Sequence, residues 1–141
     1  MDTNRVAKIF IMRGDSILLL LSKHLNKWHL PGGHVHQDET FEMGLKREVE
    51  EETGCRIKFY HKIKPIRSNV CLFIGKLYPG TIKISDEHLK YAWVPLDQAM
   101  NLNVCKFTQK DIRYLQTLLN IVKSSTRVEH DDVLDNYIHE D

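Results

Sequence analysis

The chain of 141 residues has only three cysteines, Cys55, Cys71 and Cys105, an odd number with no CxxC spacing. That excludes a disulfide framework and a zinc knuckle, and reduced thiols are expected. No apolar run approaches the roughly 18 residues of a membrane span, and none is longer than Ile17–Leu21. That run also lacks the cleavage site of a signal peptide, so a cytoplasmic protein without membrane contact is expected. Repeats and low-complexity linkers are missing too. Excess charge is nearly absent, with 20 Lys+Arg against 19 Asp+Glu, which argues against a dedicated polyanion binder.

What is present is enough for one domain: 42% of residues are hydrophobic and 28% charged. The near-neutral total hides an asymmetry. Residues 124–141 hold Arg127 against six acids, so the remaining body has 19 basic and 13 acidic residues. We read a domain over 1–123 and an acidic tail over 124–141, with Val133, Leu134, Tyr137 and Ile138 able to form a short docking helix.

Val6–Met12 and Ile17–Ser22 are apolar and flank the turn Arg13-Gly14-Asp15-Ser16, which predicts a hairpin. Further strands are predicted over Arg56–Lys64, Ser68–Leu77, Thr81–Ile84 and Tyr91–Pro95. A helix is predicted from about Thr40 to Thr53, ended by Gly54. A last helix runs to about Lys123, N-capped by Thr108, with Ile112, Leu115, Leu118, Leu119 and Val122 on one stripe. Strands on both sides of a central helix imply an α/β domain with a mixed sheet.

The chemistry concentrates in Gly33–Gly54. Gly33 is followed by Glu39 and then by Arg47-Glu48-Val49-Glu50-Glu51-Glu52-Thr53-Gly54. At about 100° per residue, Glu51 and Glu52 fall within about 60° of Glu48. Phe41, Leu45 and Val49 lie about 20–100° round from Glu48, so the acidic stripe borders the buried one. Repulsion between carboxylates and partial burial make this costly, and a hard divalent cation such as Mg²⁺ or Mn²⁺ removes the conflict. Arg47, four residues before Glu51, can orient a carboxylate. A solvated acidic face accounts for Glu42 and Glu50, on the opposite side. It does not account for the fixed spacing of the other residues.

That spacing resembles the box of the Nudix (MutT-like) hydrolases: Gly33, Glu39, Arg47, Glu48, Glu51, Glu52 and Gly54 all fall on its fixed positions. Cys55 fills the final apolar place, while His36 and Asp38 stand where many members have Glu and Gly. The box covers 23 residues, and its flanks agree. Trp28-His29-Leu30-Pro31-Gly32-Gly33 resembles the usual entry. Glu87 ahead of Tyr91-Ala92-Trp93-Val94-Pro95-Leu96 is similar to the strand that brings one more acid.

The resemblance implies a Nudix fold, a mixed β-sheet sandwiched between α-helices, and Mg²⁺- or Mn²⁺-dependent hydrolysis of a nucleoside diphosphate derivative. Glu48, Glu51 and Glu52 would ligate metal, with the Gly33 carbonyl as a further ligand. Arg47 would orient Glu48, and Glu39 would support the loop or a second metal. The general base would be Glu48 or Glu52, with Glu87 as the candidate outside the box. Longer signatures of coenzyme A and NADH pyrophosphatases are missing. Val70 and Cys71 stand where ADP-ribose pyrophosphatases often show Pro, and the nearby Tyr of some diadenosine-polyphosphate hydrolases is missing, Phe73 being the closest aromatic. By exclusion the expected substrate is a nucleoside triphosphate. The alternatives are 5′-end or capped RNA, dinucleoside polyphosphates, or a nucleotide-sensing module without turnover.

Other residues carry weaker signals. His24, His29, His34 and His36 lie within thirteen residues without a Cys partner; His34 and His36 are placed at the site mouth near substrate phosphate. Trp93 and Phe73 sit in strand patterns and are assigned to the core, leaving Trp28 and Phe107 to contact the base. Lys58, Lys62, Lys64 and Arg67, interleaved with Phe59 and Tyr60, fit an RNA backbone, but a half-exposed strand gives the same pattern.

Overall fold

Strand β1, Val6–Arg13, divides its two edges among three partners. The computed structural model describes residues 4–63 and 69–125, and in it β1 runs parallel to β6, Val70–Leu77, from Val6↔Val70 to Ile11↔Gly75. On its other edge β1 pairs first with β4, Gly32–His34, and only at its end with β2, Ser16–Ser22. The predicted hairpin is therefore short, limited to Met12↔Ile17 and Arg13↔Ser16. Beyond it β2 diverges to pair with β3, Trp28–His29, and with β7, His88–Pro95. Strand β5, Ile57–Ile63, closes the far edge antiparallel to β6.

Nearly every residue of β1, β2 and β6 is covered, because helices lie on both faces of the mixed sheet. Ala7, Ile9, Ile11, Leu18 and Leu20 meet Leu45 and Val49 of helix α1, Phe41–Thr53. Alternate residues Phe10, Met12, Ile17 and Leu19 meet Ile112, Leu115 and Leu119 of α2, Lys106–Ser125. Trp93 and Phe73 pack in the α1-side core, as their strand positions imply.

Helix α1 has the boundaries its caps dictate. The Thr40 side chain accepts from the Met43 N–H at 3.1 Å, and Gly54 takes φ 71° at the C-cap, its N–H bonded to the Glu50 carbonyl. Two local expectations are corrected. Thr81–Ile84 is not a strand: the Lys83 N–H bonds to the Thr53 carbonyl at 2.8 Å, so the segment follows the end of α1, and Ile82 and Ile84 cover the α1-side core. Thr108 is not an N-cap: the Cys105 carbonyl takes the first helical bond from the Gln109 N–H, and Thr108 is buried inside the first turn. A 3-10 helix, Leu96–Asn101, links β7 to the segment before α2. Lys64, Arg67 and the tail beyond residue 125, where a docking helix is expected, lie outside the described residues. Among the described residues no helix is long and apolar enough to cross a membrane.

Gly32 is the tightest backbone approach that positions the site. It takes φ 121°, and a Cβ there would fall 2.1 Å from the Ala7 carbonyl oxygen. Thr40→Ala, which removes only a cap, should cost about 1 kcal/mol in urea denaturation. Gly32→Ala should cost several times more, because both the backbone angle and the β1–β4 ladder must give way.

Candidate active site

The loop from β4 into α1 is organised by one guanidinium. Arg47 Nε donates to Glu39 Oε2 at 2.8 Å, and Nη2 donates to Glu39 Oε1 at 3.0 Å and to the His34 carbonyl at 3.1 Å. Nη1 donates to Glu48 Oε2 at 2.9 Å and, at 3.4 Å, to Glu51 Oε1. Glu39 Oε1 also takes the His36 N–H at 2.8 Å. The Arg47 bonds, then the His36 N–H, hold the Glu39 carboxyl down at about 2, and Glu39 in turn raises the Arg47 pKa. Glu39 is thus committed to the loop on both oxygens.

Glu52 points the other way, into the protein. It is 6% exposed, and its Oε1 accepts the Gly32 N–H at 2.9 Å. Burial pushes its carboxyl up to about 8, against the pull of Lys8 and the Gly32 bond, with Glu48 and Glu87 adding to the rise. Lys8 lies across from it, donating to the carbonyls of Leu30 at 3.1 Å and Gly32 at 3.2 Å.

Glu48, Glu52 and Glu87 line one open cleft of about 410 Å³ with Gly33 and His34. The backbone at Gly33 lies close to Glu48: a Cβ there would fall 2.7 Å from Glu48 Oε1, and the carboxylate would have to shift. The cleft shares Gly33, His34, His29, Ser22 and Leu25 with a larger, mostly apolar cavity of about 600 Å³. Phe107, 61% exposed, lies on that cavity's wall with Asp111 and Asn69.

Three candidates stand elsewhere. The Glu51 side chain is 59% exposed and turned to Arg47, outside the cleft lining. His36 is on the loop, 3.7 Å from Glu39, and lines neither cavity. Trp28 is held by strand pairing to Leu21 and a bridge to Val104, and packs on the α2-side core rather than in either cavity. The basic cluster is also divided, since Lys62 sits 3.8 Å from Glu42 of α1.

The sequence reading missed Lys8, His88 and Asp111, and gave His29 no place in the cleft. A lysine inside an otherwise apolar strand was a signal for Lys8. His88 gave none, because its partner His29 is 59 residues away. The two rings meet with Nε2 atoms 3.0 Å apart, and burial depresses both, His29 to about 4.

The donor set is all oxygen, which suits a hard cation such as Mg²⁺. Among the described residues no three acidic, His or Cys side chains converge into a closed metal cage. Mg²⁺ does not require one, since one or two carboxylates completed by water and phosphate oxygens are its usual shell.

The chain resembles known proteins over most of its length. An 8-oxo-dGTP diphosphatase of Buchnera aphidicola is 29% identical over 130 residues, spanning 83% of this chain and 95% of that protein. A mouse oxidized purine nucleoside triphosphate hydrolase is 30% identical over 70% of each chain. The fold is shared with a MutT Nudix hydrolase from Burkholderia pseudomallei, at a TM-score of 0.65 and 23% identity, over 77% of this chain and 94% of that one. The NUDIX domain profile matches residues 2–117, from ahead of β1 well into α2, and the chain belongs to the Nudix family as a MutT-like hydrolase.

Proposed function

We propose that this hydrolase cleaves a phosphoanhydride bond of a nucleoside triphosphate with Mg²⁺ as cofactor. The observation that carries the reading is the placement of Glu48, Glu52 and Glu87 in one cleft that opens into an apolar cavity about 600 Å³ in volume. A chain of phosphates fits the first and an apolar, flat base the second. The named substrates of the Buchnera and mouse relatives, oxidised purine nucleoside triphosphates, support the same class. A rat relative named as an asymmetrical bis(5'-nucleosyl)-tetraphosphatase, 30% identical over 62% of this chain, keeps dinucleoside polyphosphates as the second reading.

Glu48 and Glu52 are the residues that would hold the cation, with the Gly33 carbonyl beside them and Glu51 as the outer carboxylate. Bound there, Mg²⁺ would lower the pKa of a coordinated water and neutralise charge on the phosphate oxygens. Arg47 aims the Glu48 carboxylate, while Glu39 keeps Arg47 in place. His34, exposed on the cleft lining, would meet substrate phosphate, and Phe107, on the cavity wall, would cover the base. The proton of the attacking water goes to Glu48 or Glu52, with Glu87 at the mouth as the other acceptor.

Product chromatography on a nucleotide panel, with and without Mg²⁺, tests the substrate. Metal-dependent release of a nucleoside monophosphate and pyrophosphate from a triphosphate is the expected result. No turnover by protein that still binds Mn²⁺ and nucleotide would establish a sensor instead. Glu52→Gln should lower kcat by about 10³-fold with the fold intact by circular dichroism, because it removes cleft charge and little volume; near wild-type activity would remove Glu52 from the site.

Glu52 also gives the metal-free protein a pH dependence. Its carboxyl binds a proton more tightly folded than unfolded, so its contribution is fully present below pH 4.5 and is lost as pH rises towards about 8. Stability should therefore fall across that window, by at most about 1.4 kcal/mol per pH unit. Glu52→Gln should flatten the fall in urea denaturation at a series of pH values, and Mg²⁺ should reduce it in the wild type.

A further inference from the structure

The His29–His88 contact joins two strands that do not pair with each other. Strand β3 lies on one edge of β2 and β7 on the other, and the rings meet across the end of β2, with centroids 5.0 Å apart. At that end the β2–β7 register shifts between Leu21 and Ser22, so the ladder alone defines β7's first residues less tightly.

The hydrogen bonds around the pair have one consistent direction. His29 Nδ1 is 2.8 Å from the Leu30 carbonyl oxygen, which can only accept, so Nδ1 carries the ring proton. Nε2 of a neutral His29 is then the acceptor, and the proton in the 3.0 Å contact belongs to His88 Nε2. That leaves His88 Nδ1 as an acceptor, 3.1 Å from Ser85 Oγ, whose hydroxyl must donate. With its proton committed, Ser85 Oγ accepts the Glu87 N–H at 3.3 Å. On the other side of Glu87, its carbonyl accepts the Lys23 N–H at 2.9 Å.

The chain continues beyond Leu30. The carbonyls of Leu30 and Gly32 are both held by Lys8 Nζ, and the Gly32 N–H holds Glu52. A continuous set of directed contacts therefore runs from the carboxylate of Glu52, on α1, to the main chain of Glu87, on the turn before β7. A proton added to His29 would set its Nε2–H against that of His88, and one added to His88 would turn its Nδ1 into a donor against the committed Ser85 hydroxyl, so these directions hold only with both rings uncharged. Both N–H groups are already used within this brace, which leaves neither ring a proton to donate to substrate.

We propose that His29, His88 and Ser85 are positioning residues that fix Glu87 against Glu48 and Glu52 in the cleft. The proposal rests on the role given to Glu87 above. Packing alone would account for one buried and one half-buried ring, but it would not fix their tautomers or tie Ser85 to turnover.

Two measurements on the full chain test it. Long-range ¹H–¹⁵N spectra of the histidine side chains should show His29 protonated at Nδ1 and His88 at Nε2. The opposite tautomers, or a mixture, overturn the brace. In turnover of 8-oxo-dGTP with Mg²⁺, Ser85→Ala and His88→Gln should lower kcat by about tenfold or more, with KM changed by about twofold at most. Ser85→Thr, which keeps the hydroxyl, should restore the rate. Against a Glu87→Gln background, Ser85→Ala should have no further effect. A loss that multiplies in that background, or one that Thr does not rescue, shows a merely structural role and overturns the positioning. Wild-type kcat in Glu87→Gln alone would remove Glu87 from the reaction and the positioning role with it. The Glu52→Gln result is independent of that outcome, so failure of the brace and failure of the cleft are distinguishable.

Discussion

The fork of Arg47 is the contact on which the candidate site depends, because it binds three acids that would otherwise repel one another. Its Nε and Nη2 close a bidentate pair with Glu39, while Nη1 faces Glu48 and Glu51. The same group reaches the His34 carbonyl, so the end of β4, the following loop and the third turn of α1 share one planar donor. A lysine could supply the charge but not five directed N–H groups. The acidic face of α1 is tolerable because this cation lies on one side of it and Lys8 on the other.

Burial then separates carboxylates that are chemically identical. Glu39, bonded on both oxygens by Arg47, is held strongly acidic; Glu52, enclosed under β4 with one N–H from Gly32, is pushed up to about 8. The difference follows from the close approach of the backbone at Gly32, where a Cβ would meet the Ala7 carbonyl of β1 and whose N–H reaches Glu52. Sheet topology contributes as well. Since β4 occupies the first half of one edge of β1, β2 is free to turn away and carry β3 and β7 towards the cleft.

Much of this was readable from residue order. The extent of α1 follows from Thr40 and Gly54, the two-sided burial of the sheet from unbroken apolar runs, and the grouping of Glu48 and Glu52 from helical spacing. Where the structure differs from what residue order suggests, the causes are physical. Thr81–Ile84 alternates like a strand but spends its main-chain bonding on the end of α1, and Thr108 can cap a helix in isolation yet is enclosed within its first turn. Trp28 has the chemistry to stack on a base, but pairing with β2 and the bridge to Val104 turn it to the core. Glu51 shares the helical face of Glu48 in sequence, and the nearness of Arg47 draws it outward.

The sequence by itself determined the family, the helix that bears the acids and the class of chemistry those acids suit, because these depend on spacing within about twenty consecutive residues. Tertiary structure alone decided which acid is buried, which is clamped and which lines the cleft, since each outcome depends on groups far away in the chain. Lys8 meets Leu30 and Gly32, Gly32 meets Glu52, and His29 meets His88 across 59 residues. Local periodicity carries no record of such contacts; they exist only once the sheet has set its register and excluded water from the space between its strands and α1.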